Sequence, residues 1–391
     1  MVNFEEINKK SLSLIISCIF IFSYFEKNTS LVYIFSVLVF MFVLFDLLVS
    51  GRKLKIELII ISLFLLIIQI VYFLKGSING APLVDSIRNF SGFYLFPFFF
   101  IAFYSMRVYK IEVPKIVTKA LIISLPFLLL QYYYKPNFSV GETVTDISEL
   151  RSIYSIASFL LCGYCSILLY DYKSNVYRRY NNFSHYYMLA ALCLISVAAL
   201  LLSFSKVVLV LLFVLILYVL IRYFFLWFIW LSLYLAFFYF SEINDYLEIL
   251  ISGYNLKSEG NALRFEQASY LINGLSLFGS GLGVPLESFS RRTQGYGFEL
   301  SYLNIMHKYG IFSLLYFFLF FTPIIIVAKR YLFNTIRKYD QAYLYVSPLI
   351  LASFMNPFIS HPIIILLVSY WWVEYRYDQK IDHSSYKNHR E

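Results

Sequence analysis

The sequence predicts an all-α, polytopic membrane protein: a bundle of about twelve transmembrane helices that forms one integral membrane domain over residues 1–391. Two observations lead to this prediction. First, 60% of the residues are hydrophobic, only 14% are charged and the mean hydropathy is +0.71, so the apolar surface exceeds what one soluble core buries. Second, runs of roughly 20 mostly apolar residues, the length that crosses a bilayer, recur from Ser11 to Tyr375.

The apolar runs set the position of each helix in chain order. The first run follows the polar segment MVNFEEINKK, and because no small-residue cleavage site follows Phe25 we expect a spanning helix rather than a signal peptide. Charged or turn-forming residues separate the later runs and set their boundaries. The predicted helices are 11–25, 31–49, 56–74, 91–105, 116–134, 153–170, 186–202, 207–221, 223–240, 302–327, 342–356 and 361–375.

The placement of Lys and Arg predicts the orientation of the bundle. With the N-terminus in the cytoplasm, the cytoplasmic segments hold 21 Lys and Arg residues and the outer segments hold the other 11. This excess follows the positive-inside rule and predicts that both termini are cytoplasmic. The basic residues are scattered between apolar spans and form no continuous face, so the net charge of +9 does not predict nucleic-acid binding.

Cysteine usage predicts neither a disulfide framework nor a metal site. All four cysteines lie within apolar runs, and Cys162 and Cys165 form the spacing CGYC with no further ligand pattern. We therefore expect small buried hydrophobic side chains, no bound metal and no cofactor.

Residues 241–300, between the ninth and tenth predicted helices, form the one outer loop large enough to hold a site. Apolar residues recur at helical spacing over 243–251, which predicts an amphipathic helix on the membrane surface. Asn261 is a candidate N-cap for a second helix, Ala262 to Leu275, followed by the turn-rich stretch GSGLGVP. The loop is therefore expected to be ordered.

Several cationic residues on the outer side lie beside or within hydrophobic ends. Singly, each is explained as a snorkelling or solvated charge, but cations here oppose the orientation signal, and charges near membrane depth are costly. As a group they suit a phosphate or diphosphate, because a guanidinium pairs with two oxygens at once, and they would stabilise a departing lipid diphosphate without a metal. The residues are Arg88, Arg151, Lys206, Arg264, Arg291 and Arg292.

Two residues near the tenth predicted helix are candidate general bases. Glu299 precedes that helix and His307 lies at its start, with Tyr302 between them, and either side chain accepts a proton if its surroundings tune its pKa. The alternatives are a solvated loop acid for Glu299 and a polar interfacial side chain for His307.

Gly279, Gly281 and Gly283 alternate like the glycines of a phosphate-binding turn. No strand is predicted before them and no GK[ST] sequence follows, so the pattern does not predict a nucleotide site. A tight turn that leads back to the membrane is the expected use, since glycine adopts positive φ without steric cost.

The order of these motifs resembles that of the O-antigen polymerase and O-antigen ligase superfamily, the Wzy-like glycan polymerases. The family's periplasmic loop carries an Arg on a helix, a glycine-rich segment, and an acid or His before a Gly that enters the next helix. Here these are Arg264 in NALRFEQASYL, the segment SLFGSGLGV, and Glu299 in FELSYLNIMHKYGIF with Gly310. Upstream, Arg151 in ELRSIYS and Lys206 in SFSK resemble two further motifs, without the Gly of the first and with Lys for the Arg of the second. The Trp that commonly follows the loop Arg is missing, and the ligases carry His where this chain has Glu299, which favours the polymerase branch.

The resemblance implies a metal-independent glycosyltransferase of the bacterial inner membrane. It would join lipid-linked oligosaccharide repeat units into O-antigen or a related surface polysaccharide, with donor and acceptor glycans both carried on undecaprenyl diphosphate. It also implies membrane lipids as surroundings and a partner protein that regulates chain length. The implied site residues are Arg88, Arg151, Lys206, Arg264 and Arg291 for the diphosphate, and Arg264, Glu299 and His307 for catalysis.

Other functions stay open from the sequence. A flippase or other transporter of the lipid-linked unit suits twelve helices equally well, but transporters place ionisable residues near the bilayer midplane and often contain repeats. Here we find no repeat, and Asp46 is the main charge expected deep in a span. An O-antigen ligase shares the motif order. A metal-dependent glycosyltransferase needs paired acids in its first outer loop, but that loop here reads EKNTS. A non-catalytic scaffold would account for the helices but not for the motifs in the large loop.

Overall fold

The computed structural model describes residues 4–23, 29–51, 54–133, 156–173, 258–285, 300–354 and 358–388. Within these ranges the fold is all-α, with short 3-10 turns at Ser91–Tyr94, Arg107–Tyr109 and Gly310–Phe312 and no strand. The helices are α1 (Phe4–Ser23), α2 (Thr29–Ser50), α3 (Ile56–Ile78), α4 (Leu83–Arg88), α5 (Leu95–Met106), α6 (Val113–Tyr133), α7 (Ile156–Lys173), α8 (Ser258–Asn273), α9 (Ser301–Tyr309), α10 (Ser313–Leu332), α11 (Asp340–Ala352) and α12 (Pro362–Asn388).

Each predicted helix that falls within the described ranges overlaps helix in the structure, although several ends differ and one predicted helix is interrupted. The predicted helices 186–202, 207–221 and 223–240 lie outside the described residues, as does the predicted amphipathic helix 243–251. The described part of the chain contains four helical stretches long and apolar enough to cross a membrane, and these identify a membrane protein. They are Leu31–Ser50, Ile56–Ile78, Ser91–Tyr109 and Ser301–Leu332.

The packing of α3 shows the inverted pattern of a lipid-exposed helix. Its polar residues Ser62 and Gln69 are buried, whereas Ile60 and Ile67 on the same helix are 59% and 55% exposed. In water, exposed aliphatic side chains are unfavourable. In lipid, exposed aliphatic side chains and buried polar side chains are expected, because polar groups in the bilayer must find hydrogen-bond partners inside the protein. Gln69 does so, by donating to the Tyr316 hydroxyl of α10.

Helix α12 forms the centre of the described bundle. Every side chain from Ile363 to Val368 is fully buried, and α12 packs against α5, α10 and α11. Around it, α1 pairs with α2 and α6, and α7 packs along α11. The α7–α11 contact is close because Gly163, within the CGYC sequence, lies against the backbone of α11, so that an added Cβ would be 2.4 Å from the carbonyl oxygen of Leu344.

Segments predicted to be cytoplasmic meet at one end of the bundle, which we call the basic end. Here Arg107 pairs with Glu374 at 2.8 Å, and Arg330 pairs with Asp340 at 3.0 Å. Asp46, the charge expected deep in a span, lies one turn before the end of α2 and accepts a hydrogen bond from the Tyr109 hydroxyl. A carboxylate at the end of a span is less costly because water and polar partners reach it.

Two local predictions in the large loop and after it are wrong. Asn261 does not cap a helix, because α8 begins at Ser258, one turn earlier. The predicted helix 302–327 is interrupted at Gly310, whose φ of 54° ends α9 before α10 begins. The short helix α4, in a predicted outer loop, was not anticipated.

Candidate functional site

The end of the bundle opposite the basic end is built around the segment Leu277 to Val284, which we call the glycine turn. It runs beside the C-terminal end of α9. The amides of Ser280 and Gly281 donate to the carbonyl oxygens of His307 and Lys308 at 2.8 and 3.1 Å, and the amide of Ile311 donates to Leu277 at 2.8 Å. The large loop is thus hydrogen-bonded to the start of the following span.

The other side of the glycine turn contacts the end of α3 and helix α4. The amide of Leu282 donates to the carbonyl of Tyr72 at 2.9 Å, and the Ser86 hydroxyl donates to the carbonyl of Leu282 at 3.0 Å. The amide of Gly283 donates to the side-chain oxygen of Asn89 at 3.2 Å. These contacts join segments about 200 residues apart in sequence at the same end of the bundle, as the predicted topology requires of two outer segments.

The alternating glycines are explained by these contacts. Gly279, Gly281 and Gly283 have φ values of 65°, 93° and 75°, which L-residues rarely adopt. A Cβ at Gly281 would lie 2.3 Å from the amide nitrogen of Gly76 in α3, and a Cβ at Gly283 would lie 2.5 Å from that of Ser86. Only glycine allows the backbones to approach this closely.

The glycine turn is not a phosphate-binding loop. The backbone N–H groups from Ser280 to Gly283 all donate to protein oxygens, so none is free to bind an anion as a phosphate-binding turn requires. The sequence-based prediction of a tight turn at these glycines is confirmed.

His307 is buried against this turn. Its Nδ1 lies 3.1 Å from the Ser280 hydroxyl, and its side chain is only 3% exposed. The other side of the imidazole ring lies close to Gly274. A Cβ at Gly274 would be only 2.9 Å from Nε2 of His307, so glycine at this position leaves room for the ring. This is the geometry of a side chain that holds the turn in place.

The structure brings the helix that carries Arg264 against the segment that follows Glu299. In α8, Gln267 lies three residues after Arg264, and its side-chain oxygen accepts a hydrogen bond of 3.4 Å from the amide of Leu300. Leu271 of α8 and Leu300 also pack together. For Arg264 the structure describes only the place in the helix, and Glu299, Arg151, Lys206, Arg291 and Arg292 lie outside the described residues.

Arg88 lies at the end of α4 and is exposed. Its neighbours Ser86 and Asn89 both hold the glycine turn, so its backbone position is fixed relative to that turn. Of the predicted cations, Arg88 is the one whose exposed side chain the structure describes.

Two further cations at this end were not among the sequence-based candidates. Lys308 is fully buried, and its ammonium group donates to the carbonyl of Val284. Lys75, at the end of α3, donates to the carbonyl of Phe278 at 2.9 Å. The sequence signal for both was a lysine at the predicted outer end of an apolar span, where a charge is costly unless it is paired or hydrated.

Within the described ranges, no cluster of three or more His, Cys, Asp or Glu residues is arranged to hold a metal ion. Comparisons with protein-family models, curated proteins and solved structures gave no match. Over its described residues the chain is an all-helical membrane protein whose glycine turn is docked on one end of the bundle, and this is the class that the fold and the site define.

Proposed function

We propose that this protein polymerises lipid-linked oligosaccharide repeat units into O-antigen or a related surface polysaccharide. Donor and acceptor glycans are both carried on undecaprenyl diphosphate, and a separate protein regulates chain length. The reaction takes place at the outer face of the bacterial inner membrane, both termini are cytoplasmic, and neither metal nor cofactor takes part.

The observation that supports this proposal is the docking of the loop. The three motifs that resemble the polymerase family are the Arg264 helix, the glycine turn and the segment from Glu299 to Gly310. In the structure α8 contacts Leu300 and the glycine turn contacts α9. Motifs that are scattered over the loop sequence thus share one end of the bundle, as a single site requires.

The cations at this end suit the substrate. A lipid diphosphate carries its charge at the membrane surface, where we place the exposed Arg88. In this proposal Arg151, Arg264 and Arg291 supply further guanidinium groups and Lys206 supplies an ammonium group. These groups would bind the diphosphate and stabilise the charge that develops on it as the bond to the sugar breaks. The leaving lipid diphosphate provides the driving force.

A general base completes the reaction by taking the proton of the acceptor hydroxyl. Between the two candidates we favour Glu299, because the ring of His307 is buried and faces protein at both nitrogen atoms. His307 is then a positioning residue that holds the glycine turn.

The substitution Arg264→Ala tests the proposal. We expect polymer formation to fall by about 100-fold or more, the usual loss when one group that stabilises transition-state charge is removed. The measurement is the ladder of glycan chain lengths in cells that express the variant, with membrane accumulation of the protein measured in parallel. Glu266→Ala, at an exposed position of the same helix, is the matched control and should retain the ladder. A normal ladder from Arg264→Ala would overturn the assignment of this residue.

A further inference from the structure

A groove opens at the basic end of the bundle, away from the glycine turn. It lies between α3, α5, α10 and α12 and has a cavity volume of about 440 Å³. Its walls are apolar, formed by Leu58, Ile61 and Phe64 of α3, Phe100 of α5, and Leu315 and Phe318 of α10. Lipid-exposed residues of α3 continue from these walls, and Phe64 is 47% exposed.

Among the described residues, two cations and one acid line the mouth of the groove. Lys55 directly precedes the apolar span that begins at Ile56, so it lies at the level of lipid headgroups. Arg376 and Glu57 also line the mouth, 3.9 Å apart and each about half exposed. An exposed pair at that distance interacts weakly, which leaves the Arg376 guanidinium able to bind another anion.

Aromatic residues fix the shape of the groove. The indole of Trp372 donates to the carbonyl of Leu319 at 3.0 Å, and the Tyr375 hydroxyl accepts a hydrogen bond from Gln379 at 2.6 Å. Tyr104 lies beneath the ammonium group of Lys55, which is 5.9 Å from the ring centroid. Tryptophan and tyrosine at this depth are typical of the boundary between hydrocarbon and headgroups.

We propose that this groove binds an anionic phospholipid of the surrounding leaflet, with one acyl chain along Ile61 and Phe318 and the phosphate at Lys55 and Arg376. The apolar walls require a hydrocarbon chain, and the net positive mouth requires an anionic headgroup. Basic pockets between transmembrane helices bind anionic lipids for this reason. The site is at the opposite end of the bundle from the proposed polymerisation site and is independent of it.

The test uses the full-length protein reconstituted in vesicles of phosphatidylcholine. Trace amounts of phosphatidylglycerol or phosphatidylcholine that carry a photoactivatable group in one acyl chain are added, and labelled peptides are identified by mass spectrometry. Phosphatidylglycerol should label the groove at least about fivefold more than phosphatidylcholine. Lys55→Gln and Arg376→Gln should each reduce this labelling about fivefold, which corresponds to about 1 kcal/mol for each cation at a membrane surface.

Two further variants distinguish a specific site from damage to the fold. Glu57→Gln removes the acid at the mouth and should raise labelling by phosphatidylglycerol, an effect that misfolding does not produce. Ile61→Trp should fill the groove and abolish labelling while both cations remain. Lys329→Gln, at an exposed cation of the same end but outside the groove, is the control and should change nothing.

Three results would overturn the proposal. The first is equal labelling by the two phospholipids, and the second is labelling that survives both Lys55→Gln and Arg376→Gln. The third is the absence of lipid label in the groove together with a chemical crosslink from the groove to another peptide of the same chain or of a second copy. The groove would then be occupied by protein.

Discussion

At the scale of single residues, Asp340 shows how a charge is stabilised inside this bundle. Its carboxylate is fully buried and accepts hydrogen bonds from the guanidinium of Arg330, the indole of Trp371 and the amide of Arg337. These partners belong to the end of α10, to α12 and to the turn before α11. One carboxylate therefore joins three segments at the basic end.

Replacing this carboxylate gives the residue-scale prediction. Asp340→Asn removes the carboxylate charge that pairs with Arg330, whose side chain is 18% exposed, and so weakens a charge-assisted hydrogen bond, a loss of about 1.5–3 kcal/mol. The measurement is thermal unfolding of the purified protein in detergent, where we expect a clearly lower midpoint. Glu6→Gln is the control, since Glu6 pairs with Lys10 on an exposed face of α1 and its loss should leave the midpoint unchanged. Equal midpoints for the two variants would show that the Asp340 contacts do not stabilise the bundle.

At the scale of elements, the glycine turn connects the large loop to the membrane-spanning part. It is held by backbone hydrogen bonds on two sides, to α9 and to the end of α3. The backbone of the glycine turn packs directly against the backbone of α3, so glycine is required in both segments. A Cβ at Gly76 of α3 would lie 1.9 Å from the carbonyl oxygen of Leu282. The turn therefore has little freedom to move without losing these contacts.

The element-scale prediction separates backbone conformation from close packing. Gly281 and Gly80 have similar φ values, 93° and 83°. A Cβ added at Gly281 would collide with the backbone of Gly76, whereas a Cβ added at Gly80 would have no atom of the described structure within 4 Å. Gly80→Ala should cost about 1–2 kcal/mol from the unfavourable φ alone. Gly281→Ala should cost a further amount of about 1–3 kcal/mol from overpacking.

Thermal unfolding in detergent measures this difference, and the glycan ladder in cells shows its effect on function. We expect Gly281→Ala to unfold at a lower temperature than Gly80→Ala and to make less polymer. If both variants unfold together, the glycine turn is not docked as described.

At the scale of the whole molecule, the described bundle has two chemically different ends. The basic end collects ion pairs among segments predicted to be cytoplasmic, such as Arg107 with Glu374. The other end holds the glycine turn and the candidate site. Between the two ends, α3 buries the polar residues Ser62 and Gln69 and exposes Ile60 and Ile67, the arrangement that lipid favours.

The sequence predicted the all-helical fold because the length of an apolar run is a direct consequence of bilayer thickness. It did not predict where helices are interrupted. The break at Gly310 depends on the approach of Leu277, whose carbonyl oxygen would be 2.2 Å from a Cβ at Gly310. Such contacts between distant segments have no local signature.

The candidate site was predicted in part. The position of the glycine turn was predicted correctly because closely spaced glycines are a strong local signal of a turn. The burial of His307 and Lys308 was not foreseen, since it depends on Gly274 and Val284, which come from another part of the chain. The functional roles stay predictions for every candidate residue: Arg88, Arg151, Lys206, Arg264, Arg291, Glu299 and His307.

The central claim is that this protein joins repeat units, and the most direct test is deletion of its gene in the native host followed by analysis of the surface glycan. We expect single repeat units on the glycan acceptor and no long chains, with long chains restored by the wild-type gene. The absence of all repeat units outside the cell would instead indicate a flippase. Long chains left on the carrier lipid would indicate a ligase, and either result would contradict the proposal.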